Sequence, residues 1–232
     1  MKKNDQKKFY VFQMKMFPLN IFSFILLIFM VVITYFINND FFNSSINYVI
    51  STFNYFFPLI FLFLVIHEIL HSLGYCIYGA DFKKVLYGIQ LEKGVFYCLC
   101  KQNINRKTVL NSLFFPLFYI GIVTYILGLI FYEPYLTWLS ILNISGCSGD
   151  IIMFIFISRL NKDIEFTEMD DSTSFALISN YDVNKVNHFG LEYKGSFDDV
   201  KRSNYKKITI SKMSYIVMAL LLILFILLVI NV

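Results

Sequence analysis

His67-Glu68-Ile69-Leu70-His71 forms an H-E-x-x-H pattern, residue types that can hold a divalent metal and activate water beside it. Residues four apart share a helix face, so His67 and His71 can reach one ion. Glu68, one residue round, can reach a water on that metal and act as general base. Only three histidines occur in the chain, and two of them stand here. The surrounding stretch is apolar enough to span a membrane. An ionisable group in such a place costs roughly 2.5–3.5 kcal/mol, so a working role is the default expectation.

A second chemistry-bearing stretch is Asn143-Ile144-Ser145-Gly146-Cys147-Ser148-Gly149-Asp150. Asp150 lies nine residues before Arg159 and His71 eight before Gly79, so the two sit at similar depth in their apolar stretches. Two imidazoles and one carboxylate leave the fourth position of a tetrahedral zinc open, which is the catalytic arrangement. Cys147 competes with Asp150 as third ligand. Asn143 is a candidate for bonding a substrate backbone, with a helix-packing hydrogen bond as the alternative. Lone His188 reads as a surface histidine.

These residues need helices to hold them, and composition supplies the setting. Of 232 residues 57% are hydrophobic and 16% charged, with 27 Phe and 16 Tyr, and the mean hydropathy is +0.62. The fold class expected is an all-α polytopic membrane protein. Five candidate spans emerge, near 20–37, 53–79, 109–131, 136–158 and 213–231. Ile37-Asn38-Asn39-Asp40 offers no small-residue cleavage site, so the first span reads as a retained anchor. All 20 lysines and arginines fall on one side of this five-span arrangement. The positive-inside rule then puts the N-terminus in, the C-terminus out and the site toward the cytoplasm. The net charge of +4 marks orientation and contact with the lipid bilayer rather than nucleic acid. Cys76, Cys98, Cys100 and Cys147 lie in spans or on the reducing side, which argues against disulfides.

The chain divides into a basic, lipid-facing start at 1–19, a membrane core at 20–160, a cytoplasmic segment at 161–212 and an anchor at 213–232. Asn-rich 38–52 reads as an outer loop, with Asn43-Ser44-Ser45 as a formal glycosylation sequon. Two β-prone runs around Gly94, within 85–101, read as a cytoplasmic hairpin, either lending an edge to an extended peptide or serving as a two-stranded connector with no partner. Residues 167–180 read as a small element with Asp170, Asp171 or Ser172 as a helix cap, and 182–207 as a loose segment.

H-E-I-L-H in an inward-running span, Tyr97-Cys98-Leu99-Cys100-Lys101 beyond it and Asn143…Gly149-Asp150 in a later span resemble the zincin peptidases of small bacterial membrane proteins. The arrangement over roughly 60–160 is similar in plan to site-2 proteases, intramembrane zinc metallopeptidases, although their proline-containing N-x-x-P…L-D-G stretch has no counterpart here. The resemblance implies Zn2+ on His67, His71 and Asp150, Glu68 as catalytic carboxylate, and membrane-associated proteins or peptides as substrates. The rival reading is a metal-ion or proton transporter using the same groups as a relay. An idle membrane scaffold is a third, and it has no need of Glu68.

Overall fold

The computed structural model describes residues 8–90, 95–169, 173–183, 186 and 189–196. Strand β1 (Lys8–Met14) leads into helices α1 (Met16–Ile37), α2 (Asn39–Ser51) and α3 (Phe53–Ile77). After a short 3-10 turn come β2 (Val85–Gln90), β3 (Val95–Cys100) and β4 (Ile104–Asn105). Helix α4 (Arg106–Pro116) runs through a π segment, Leu117–Val123, into α5 (Thr124–Ile130). Helices α6 (Pro134–Gly146) and α7 (Ser148–Ser158) and strands β5 (Glu165–Glu168), β6 (Ser174–Ser179) and β7 (Leu191–Ser196) complete the described chain.

Three helices, α1, α3 and the continuous Arg106–Ile130, are long and apolar enough to cross a membrane. A fourth arises if α6 and α7, bent by 49° at their junction, count together. The expected spans near 20–37, 53–79 and 109–131 correspond to the first three. The span expected over 136–158 corresponds to this bent pair, broken at Cys147 after Gly146. The span expected at 213–231 lies outside the described residues, as does His188.

The expectation of an all-α chain with one hairpin needs correction to a mostly helical fold with two sheets. The hairpin is present, with Val85 opposite Cys100 and Gln90 opposite Val95. Beside it stands a five-stranded antiparallel sheet ordered β4-β5-β6-β1-β7. Residues 8–14 are thus a strand rather than a lipid-facing tail. The run of aromatic and β-branched residues Phe9-Tyr10-Val11-Phe12 suits a strand, and Val11 and Phe12 are fully buried. Among the described residues, 167–180 holds the end of β5 and strand β6, while the cap expected at Asp170, Asp171 or Ser172 lies outside them; the segment expected to be loose contains β7.

Asn-rich 38–52 is helix rather than loop. The Asn38 side chain caps α2 by accepting from the Phe41 backbone N–H at 3.0 Å, and Asp40 sits at the positive helix end. Asn43 therefore lies on a helix, donating to Asn39 Oδ1 at 2.8 Å.

Each long helix connects to the strands at the same end. Every described lysine and arginine sits in a strand, a connecting turn or a helix terminus on that side. The main core fills the junction, where Phe12 packs against Phe156 of α7 and Phe175 of β6 at centroid distances of 5.1 and 5.8 Å. Arg106 clamps the end of α7 by donating to the Ile157 and Ser158 carbonyls, which complements that helix's negative terminus. Helices α3 and α4 touch at Gly74, where a Cβ would lie 2.5 Å from Ser112 Cα. This close crossing brings Ser112 under the second histidine.

Candidate metal centre

The 3.6-residue period of α3 puts His67, His71 and Tyr75 on one stripe. The two imidazoles present their Nε2 atoms to each other at 3.0 Å. The bend after Gly146 starts a new helix at Ser148, so Asp150 falls in the first turn of α7. Its Oδ2 lies 3.3 Å from His67 Nε2 and 3.5 Å from His71 Nε2. Three donor atoms from two helices thus form one compact triangle.

Its dimensions suit zinc. A tetrahedral centre with bonds of about 2.0–2.1 Å has edges of about 3.3–3.4 Å, close to the three distances found. The outer ring nitrogens reinforce the fit. His67 Nδ1 lies 2.9 Å from Asn143 Oδ1, and His71 Nδ1 lies 2.9 Å from the Ser112 carbonyl. Both partners are acceptors, so each Nδ1 carries the proton and each Nε2 turns a lone pair inward. Two such lone pairs 3.0 Å apart repel each other, and a shared cation relieves this.

Proline chemistry explains why the Ser112 carbonyl is available. In an α-helix it would accept from the N–H of residue 116, but Pro116 has none. The freed carbonyl takes the His71 Nδ1–H instead, and Ser112 Oγ returns a bond to the His71 carbonyl at 2.9 Å. Pro116's own carbonyl accepts from Asn143 Nδ2 at 3.2 Å, which fixes the carboxamide that holds His67. One proline therefore supports both imidazoles. Pro116→Ala should weaken zinc binding about 10–100-fold, the usual effect of losing an outer-sphere partner. Competition against a chromophoric chelator measures it, and unchanged affinity refutes this role.

Asn143, a candidate for substrate contact, thus directs its carboxamide to His67 and Pro116. Cys147 lies behind the first histidine, its Sγ 4.0 Å from His67 Nδ1 and 3.7 Å from Asn143 Nδ2. Of the two alternatives for the third donor, Asp150 is the one facing both Nε2 atoms.

Glu68 is buried beside the triangle, and the Cys98 backbone N–H of β3 reaches its carboxylate. Two residues along the same strand edge, the Cys100 N–H donates to Glu168 Oε2, while Glu168 Oε1 accepts from the Tyr75 hydroxyl at 2.8 Å. Burial pushes the Glu168 carboxyl up to about 7, against the pull of the Cys100 and Tyr75 bonds. A cavity of about 580 Å³ runs past His67, Glu68, His71, Asp150 and Glu168, with β3 along one wall. Tyr75, Ser112, Pro116 and Glu168 escaped the sequence reading. Tyr75 had a signal, since it continues the histidine stripe by four residues. Pro116 also had one, standing four residues after Ser112, whereas Glu168 had none.

Residues 59–164 match the family model described as "Putative zincin peptidase", a stretch that includes all three donors and Glu68. Comparison with curated proteins and with solved structures returned no match.

Proposed function

We propose, from the match of residues 59–164 to the zincin peptidase family, that this chain is a membrane-embedded zinc metalloendopeptidase. Its substrates are membrane-associated proteins or peptides, and its site opens toward the cytoplasm. The observation that carries the reading is the triangle of His67, His71 and Asp150, with both outer imidazole nitrogens tied to acceptors. These three residues hold the zinc, which when bound supplies Lewis acidity toward a water and a peptide carbonyl. Glu68 takes a proton from the attacking water and returns it to the departing amine nitrogen. Glu68 is buried beside the triangle without belonging to it, so its carboxylate is not taken up by the metal.

An extended peptide enters along the cavity edge of β3 as a further strand. Its carbonyls replace the two carboxylates at the Cys98 and Cys100 N–H groups. That exchange releases Glu68 for the water and leaves Glu168 facing the peptide's side chains. The membrane setting rests on the apolar helices and on the clustering of cations at their strand-bearing end. A transporter relay would need ionisable groups spaced along a path. Within the described apolar helices, away from their ends, the carboxylates and imidazoles gather instead at His67, Glu68, His71 and Asp150.

Stripping metal from the purified protein with a chelator should abolish cleavage of a membrane-tethered reporter, and one equivalent of zinc should restore it. Cleavage that persists without metal, or metal flux in proteoliposomes with no hydrolysis, overturns the proposal.

A further inference from the structure

Glu168 lies beyond the stretch that matches the family model, yet its carboxylate lines the same cavity as Glu68 and Asp150. Strand β5 delivers it there. Its partners are the Tyr75 hydroxyl and the Cys100 backbone N–H, both neutral. Among the described residues, no lysine or arginine pairs with it. A carboxylate has about four lone-pair sites, and two donors leave about half of them to the cavity. Burying such a charge without a cation is costly, and the raised carboxyl of Glu168 reflects that cost. Two neutral donors explain why an acceptor stands at this point. They do not explain why it opens onto a cleft whose nearby walls include Met14, Leu99 and Met153.

The spacing identifies what would meet it. Tyr75 follows His71 by one helical turn, about 6 Å along α3. The amides that hold Glu68 and Glu168 are two residues apart on β3, about 6.6 Å. Both measures place Glu168 two residues along an extended peptide whose reacting bond lies at Glu68. Side chains two apart on a strand point the same way. A long aliphatic stem can lie on Met14 and Leu99 while its charged head reaches the carboxylate.

We propose that Glu168 is the floor of a subsite for a basic side chain, lysine or arginine, two residues from the scissile bond. The substrate class of the peptidase is then peptides carrying a cation at that position. This inference rests on the peptidase reading, and the test separates the two.

Full-length, zinc-loaded protein is given fluorogenic peptides identical except for lysine, norleucine or glutamate two residues to either side of the cleaved bond. Wild type should favour lysine at one of these positions by about 10-fold or more in kcat/KM, as expected for a desolvated charge-assisted pair. Glu168→Gln should bring that ratio close to one, and Glu168→Lys should turn the preference toward glutamate. Glu168→Asp, which keeps the charge and draws it back, should retain a smaller lysine preference; it decides the matter if the glutamine variant unfolds. Fluorescence anisotropy with the same peptides and metal-free protein should show the same discrimination with no bond cut. Equal handling of the two peptides by wild type, or an unchanged ratio in Glu168→Gln, overturns the subsite. Discrimination in binding without hydrolysis overturns the peptidase reading and keeps the subsite; hydrolysis without discrimination does the reverse.

Discussion

Glu68→Gln should retain one equivalent of zinc and lose about 10²–10⁴-fold in turnover, the range a positioned general base contributes. Glutamine matches glutamate in shape, and its carbonyl oxygen can still accept from the Cys98 N–H. What it cannot do is take a proton from water. Because the three donor atoms belong to His67, His71 and Asp150, the metal site should survive the change. Zinc analysis of the purified variant, alongside the cleavage rate of a membrane-tethered reporter, reads both halves of this expectation. A variant that holds zinc and cuts as fast as wild type removes Glu68 from the chemistry.

Asp150→Ala should have the opposite profile, with the metal lost first and activity lost with it. The two imidazoles remain pinned by Asn143 and Ser112. They are then a two-donor site on a single helix. Its zinc affinity should fall by more than the 10–100-fold typical of outer-sphere changes. The measurement is zinc content after dialysis against a chelator of graded strength, paired with thermal unfolding to confirm the fold. Full zinc retention would remove Asp150 from the donor set. Cys147→Ser would then decide whether the neighbouring thiol takes its place.

The parts of the site that could be read in the sequence are those set by local period and depth. His67 and His71 are a helical repeat, and counting from Gly79 and Arg159 places Asp150 level with them. The hairpin was legible because two β-prone runs flank Gly94, a purely local signal. Asn38 shows how a local signal can be misread. An Asn-rich stretch looks like a loop, yet that asparagine caps a helix. The five-stranded sheet was illegible for a different reason: Gln13 meets Thr173 across 160 residues, and no short window contains both. Pro116 frees the Ser112 carbonyl by local chemistry alone, but which group takes that carbonyl depends on the crossing of α3 and α4 at Gly74. Glu168 reaches the cavity only because β5 pairs with β6, which in turn pairs with β1.

That pairing order has a consequence for the newborn chain. Strand β1 lies between β6 and β7, so both of its neighbours leave the ribosome long after it does. Contacts this distant in sequence form late. Met14, at the end of β1, and Glu168, on β5, both line the cleft, so these walls come together only once β6 has joined the two strands. A half-synthesised molecule already carries the H-E-x-x-H helix but lacks Asp150 and the β5 wall of the cleft beside it. Translation itself thereby sets the order in which the walls of the cleft are completed.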